Sequence, residues 1–130
     1  MFSIVLCGGA GSRLWPLSTQ RDPKQFLSFL DHRSLFQLTL DRCLNVSKSV
    51  LVVSNIDQRY QLEDQISSYK NIMTLYEPIG RNTAAAIALS CFELDSNEIV
   101  LVSPSDHYIP DTDVFRRSVD TAEHAAKNDR

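Results

Sequence analysis

A chain of 130 residues in which short apolar runs alternate with helix-period segments predicts one α/β domain built on a parallel sheet. Three observations carry the prediction. Four runs are apolar and rich in β-branched residues, and helical periodicities separate them. The run at residues 49–54 is the most uniformly apolar and β-branched, as expected of a strand covered on both faces. The first run empties directly into a glycine-rich turn.

The elements follow in order. Ile4-Val5-Leu6-Cys7 reads as the first strand, running into Gly8-Gly9-Ala10-Gly11. Ser34-Leu35-Phe36-Gln37 carries a capping-box pattern, with Ser34 as the cap and Gln37 reaching back. Phe36, Leu40 and Cys43 or Leu44 then recur at helical spacing, which predicts a helix to about Leu44. Residues 49–54 form the second strand, Leu62, Ile66 and Tyr69 the inner stripe of the next helix, and residues 72–76 the third strand. Pro78 and Gly80 break either period and make 77–83 a loop, from which Asn82 or Thr83 caps an alanine-rich helix to about Leu94. Residues 98–103 read as the fourth strand, ending in Pro104-Ser105-Asp106-His107. The last helix starts near residues 111–113 and sets Phe115, Val119, Ala122 and Ala126 on one side.

The predicted architecture is therefore a Rossmann-like parallel sheet with helices on both faces. If its strand order is 3-2-1-4, the first and fourth strands are neighbours whose chains leave in opposite directions. Open α/β sheets bind ligands at that switch point, outside the carboxyl ends. The glycine turn and Asp106 would then face one crevice.

Composition narrows the functions. A formal net charge of −3 offers no basic footprint for a nucleic acid polymer, although it leaves room for a nucleotide held by local cations. Cys7, Cys43 and Cys91 are odd in number, widely spaced and set in apolar contexts, so buried reduced thiols are expected. The N-terminus has no basic n-region, and no run approaches the ~20 apolar residues of a membrane span, so the expectation is a cytoplasmic protein.

Three glycines in four positions let the backbone turn tightly and bring bare N–H groups close to a ligand. With Arg13 and Lys24 nearby they make a place for a polyphosphate, whereas an unadorned strand-to-helix turn would need neither cation. Two familiar phosphate loops fail on spacing. The dinucleotide pattern wants a third glycine where Leu14 stands, and the P-loop wants Gly-Lys-Ser/Thr where Gly11-Ser12-Arg13 stands.

The stretch from Gly8 to Pro16, followed by Pro23-Lys24, resembles the GGxGxRLxP signature of sugar-nucleotide pyrophosphorylases. Its longer form, with Trp15-Pro16-Leu17-Ser18 and Pro23-Lys24-Gln25-Phe26-Leu27, resembles bacterial mannose-1-phosphate guanylyltransferases (GDP-mannose pyrophosphorylases), some of which are bifunctional with phosphomannose isomerase. The likeness implies a nucleotide-diphospho-sugar transferase fold and a reaction between GTP and mannose 1-phosphate. It implies catalytic roles for Arg13 and Lys24, and nucleotide contacts from Leu6, Gly8, Gly9, Gly11, Ser12, Arg13, Glu77, Arg81, Asn82 and Thr83. Asp106 at the strand end would hold Mg²⁺, and Glu77 would read guanine. Leu14 and Trp15 are expected to pack beneath the loop, and Glu93, Asp95 and Glu98 to form a solvated acidic face. His107 receives no assigned role.

The chemistry suits those residue types. In-line attack on an α-phosphorus needs no enzyme nucleophile, only two polyanions held together and their charge offset. The planar fork of an arginine can bind two phosphate oxygens at once, while a lysine supplies a compact charge. A carboxylate can accept from both guanine N1–H and N2–H₂.

The resemblance covers only about the first half of the family's catalytic domain, so residues 1–130 are expected to be its nucleotide-binding half. An apolar fourth strand without an outer neighbour would expose an edge. Self-association, or cover from the last helix or a partner, is expected there.

Overall fold

β1 (Phe2–Leu6) occupies an inner position in a four-stranded parallel sheet, between β4 (Val50–Asn55) and β6 (Val100–Pro104), with β5 (Ile72–Glu77) outside β4. The computed structural model describes residues 1–9, 18–19, 23–30, 32–80 and 82–128. Across the sheet the order is β5-β4-β1-β6 and every pairing is parallel. Counted along the chain among these four strands, that is the expected 3-2-1-4 order.

The registers bring the carboxyl ends together. Leu6 pairs with Val53 on one side and Pro104 on the other, and Ser54 and Asn55 lie beside Tyr76 and Glu77. One face packs Val5, Cys7, Val50 and Val52 against Phe36, Leu40 and Cys43 of α1 (Leu35–Leu44) and Leu62 of α2 (Arg59–Ile66). The other packs Ile4, Leu51 and Val53 against Ala86 of α3 (Asn82–Cys91). β4 is buried on both sides, which explains its unbroken apolar sequence.

The capping box at Ser34 forms as predicted: its Oγ accepts from Gln37 N at 3.1 Å, and Gln37 Oε1 accepts from Ser34 N at 3.3 Å. Differences lie at element ends. Tyr69 falls in the turn beyond α2, where it still packs on the core and its hydroxyl donates to Asp41 Oδ1 at 3.0 Å. α3 ends at Cys91 rather than near Leu94, and β6 begins at Val100 rather than Glu98, because tight turns occupy the residues between. Glu98 instead sits 3.4 Å from the N-terminal amine and 3.4 Å from Lys48 Nζ.

One expectation about burial is corrected. Cys91 is exposed, because α3 turns only Ala86 and Ser90 fully inward, whereas Cys7 and Cys43 are buried free thiols as expected. Ala122 and Ala126 are exposed on α4 (Thr112–Asn128), whose buried contact is Val119. The short antiparallel hairpin of β2 (Ser28–Leu30) and β3 (Arg33–Ser34) has too few residues for a periodic signal, and His32 turns it with a left-handed φ of 59°.

Candidate functional site

At the carboxyl end of the sheet lies a cleft of about 320 Å³, within the range of small-molecule sites. Its apolar floor comes from Leu6, Val53 and Ala86, one residue each from β1, β4 and α3. Gly8 and Gly9 form one wall, and Glu77, Gly80, Asn82 and Thr83 the opposite rim. The strand order produces this meeting. β1 and β5 both end here, so the glycine turn and the loop after β5 face one another across β4.

Glu77 closes on the glycine turn. A Cβ placed on Gly8 would lie 3.6 Å from Glu77 Oε2, so the carboxylate stands directly over a backbone without a side chain. Asn82 opens α3 with a left-handed φ of 70°, a conformation that Asn tolerates better than most residues.

The second part of the site lies toward β6. Ser105 N donates to the Leu6 carbonyl at 3.1 Å, which extends the β1–β6 ladder and delivers Asp106 to the edge of the glycine turn. There Asp106 Oδ2 accepts an ion-paired hydrogen bond from Lys24 Nζ. Lys24 opens a 3₁₀ turn (Lys24–Phe26) after Pro23, and this turn explains its direction: Pro23 and Gln25 are buried while Lys24 is left to reach outward. Partial burial pushes the Asp106 carboxyl up, but the hydrogen bond and charge of Lys24, with His107 adding to them, hold it below the usual carboxylate range.

The His107 side chain is exposed, with Nε2 3.9 Å from Asp106 Oδ1. Among the described residues no group of three or more His, Cys, Asp or Glu gathers as a metal cage. A lone carboxylate suits a hard cation that completes its shell with substrate phosphates and water.

The structure thus brings together Leu6, Gly8, Gly9, Glu77, Asn82 and Thr83 around one cleft, and joins Lys24 to Asp106 beside it. Gly11, Ser12, Arg13 and Arg81, together with Leu14 and Trp15, lie outside the described residues. Sequence reasoning missed Val53 and Ala86, which read there only as core. It also missed Gln25 and Gln58, whose buried carboxamides reach the carbonyls of the turn. Isolated glutamines carry no periodic signal.

Arg42 was missed as well. Buried in α1, it lies 5.1 Å over the Phe115 ring and donates to the His107 carbonyl at 3.4 Å, tying the Asp106 loop to two helices. Burial pulls its guanidinium below its usual range. Burial also pushes the Cys7 thiol up to about 12, despite hydrogen bonds from Ser105 and Gln25, so the sulfur beneath the turn stays protonated.

Comparison with known proteins agrees with this geometry. The nucleotidyl transferase family model matches residues 2–129. Alginate biosynthesis protein AlgA of Pseudomonas fluorescens is 41% identical over 133 aligned positions, covering 98% of this chain and 28% of that protein. A mannose-1-phosphate guanylyltransferase of Salmonella muenchen is 37% identical, covering 97% of this chain and 28% of that protein. Among solved structures, a mannose-1-phosphate geranyltransferase from Thermus thermophilus superimposes with a TM-score of 0.79 at 35% identity, over 96% of this chain and 38% of that one. The chain therefore spans less than a third of the length of these curated relatives.

Proposed function

The chain belongs to the nucleotidyl transferase family, and from that premise we propose that it is the nucleotide-binding half of an enzyme joining GTP and α-D-mannose 1-phosphate into GDP-mannose and pyrophosphate. The observation that carries the reading is the cleft itself, in which Glu77 faces the glycine turn, with the Lys24–Asp106 pair beside it.

In this reading the nucleobase lies on Leu6, Val53 and Ala86, with the Glu77 carboxylate accepting from guanine N1–H and N2–H₂. Backbone N–H groups of the glycine turn, together with Arg13, take the phosphates. Lys24 leaves Asp106 to offset charge where the sugar phosphate oxygen attacks the α-phosphorus and pyrophosphate departs. Asp106 would hold Mg²⁺, which when bound supplies positive charge to the triphosphate. Removing one pre-organised stabiliser of this kind typically costs about 10²–10³ in rate. Nucleotide substrates and free thiols at Cys7 and Cys43 suit a cytoplasmic setting.

Because the chain spans 28% of such relatives, the second reading is nucleotide binding without turnover. Pyrophosphate release from GTP, mannose 1-phosphate and Mg²⁺ separates the two, since binding without release supports the second. Specificity is tested at Glu77. In Glu77→Gln one acceptor becomes a donor facing a donor, so preference for GTP over ATP and UTP should fall by about 1.5–3 kcal/mol, the worth of a charged hydrogen bond. An unchanged preference in competition titrations would remove Glu77 as the reader.

A further inference from the structure

Beneath the glycine turn three buried polar side chains, Gln25 from one segment and Ser54 and Gln58 from another, converge on its carbonyl oxygens. Gln58 is 7% exposed and its Nε2 donates to the Gly9 carbonyl at 3.3 Å. Gln25 is 2% exposed, with Nε2 3.2 Å from both the Cys7 and the Gly9 carbonyls and 3.4 Å from Gln58 Oε1. Fully buried Ser54 has its Oγ 3.2 Å from Gln58 Oε1 and 3.4 Å from the Cys7 carbonyl, so its one proton serves either acceptor.

Buried amides are costly unless satisfied, and here each acceptor that is satisfied belongs to the turn or to the cluster itself. A trans peptide sets N–H opposite C=O, so drawing the Cys7 carbonyl inward turns the Gly8 N–H away from the cluster. Glycine has no side chain to hold it in one conformation, and Gly8 and Gly9 have large backbone freedom to lose. Something must fix them before a ligand arrives.

The geometry points to Gln58 as a positioning residue: its carboxamide, held by Ser54 and Gln25, locks the Gly9 carbonyl and so presets the turn that lines the cleft. Gln58 is placed for this by local structure. It closes the 3₁₀ turn Ile56–Gln58 after β4, whose start is fixed by Asn55 Oδ1 accepting from Asp57 N at 2.9 Å, and it immediately precedes α2. The Gln58 carboxamide donates to Gly9 through Nε2 and accepts from its neighbours through Oε1. A carboxylate there would accept only, and a thioether would leave the carbonyl one donor short.

The link from turn to nucleotide rests on the proposed function, so the test carries one readout that needs no ligand. In the free chain, amide hydrogen exchange over residues 7–9 is compared between wild type, Gln58→Met and a core control, Leu40→Val, which loosens the hydrophobic cluster that holds Cys7 without touching the hydrogen bonds to the turn's carbonyls. The expected result is exchange at 7–9 at least about fivefold faster in Gln58→Met relative to the β4 amides, with no such local change in Leu40→Val. A second arm titrates GTP with Mg²⁺ by calorimetry, and affinity is expected to drop about tenfold or more in Gln58→Met alone. Exchange at 7–9 that rises only in step with the β4 amides, or affinity within twofold of wild type beside a control that behaves alike, would overturn the positioning role. If wild type binds no GTP, the nucleotide reading fails, while the exchange comparison still decides the role of Gln58.

Discussion

At position 8 the absence of a side chain has a consequence that can be measured. A methyl there would meet Glu77 Oε2 at 3.6 Å and Asn55 N at 3.7 Å, ordinary contact distances that the fold can accept. Gly8→Ala should therefore keep the protein folded, with stability unchanged or raised by up to about 1 kcal/mol through a less flexible unfolded chain. It should also put a methyl into the cleft that Gly8 lines and weaken nucleotide binding about tenfold, near 1.4 kcal/mol. Thermal melting and calorimetric titration on the same sample check both halves. Gly8, Glu77 and Asp106 were legible because each stands at or beside a strand end, and Lys24 because it follows Pro23 in the Pro-Lys pair of the motif. Gln58 and Arg42 were not, since what makes them matter is a partner 49 or 65 positions away, to which no local pattern points.

At the scale of elements, what periodicity could read was strand and helix existence, and what it could not was where each one stops. The Ser34 box fixed the start of α1 by a specific chemistry, whereas α3 and β6 end in turns that propensity does not locate. Tyr69 shows the same lesson from the other side. Its helical spacing after Leu62 and Ile66 identified the inward direction even though α2 has already ended. There it bridges α1 and the hairpin, since its hydroxyl donates to Asp41 and accepts from Arg33. Partial burial, with the hydrogen bond and charge of Asp41 adding to it, pushes the Tyr69 phenol up to about 12. The folded chain thus keeps a proton that the unfolded chain releases near 10, and stability is present below that value and lost as pH rises toward about 12. Denaturation midpoints across that window should fall more steeply in wild type than in Tyr69→Phe, which has no proton to lose.

The whole molecule is covered unevenly. One sheet face carries α1 and α2, but the other is packed by α3, and Met73 and Val102 remain 39% and 37% exposed near the two sheet edges. β6 pairs with β1 on one side and with no described strand on its other, as the sequence led us to expect. An open edge beside apolar side chains favours pairing with another chain. The isolated 130-residue chain should sediment with concentration-dependent association, and Val102→Lys should shift it toward monomer, because a charge at an edge strand opposes such pairing.

The salt bridge between Lys24 and Asp106 carries a last consequence. At rest the two opposite charges beside the cleft cancel, so a lone divalent cation finds its carboxylate already occupied, and a lone triphosphate finds its ammonium engaged. Arriving as a pair they exchange partners, two contacts for one, with little change in local charge. Calorimetry should therefore find Mg²⁺ and GTP each binding feebly when offered separately and far more tightly together. Lys24→Met would loosen that interdependence by leaving the carboxylate free for the cation from the outset.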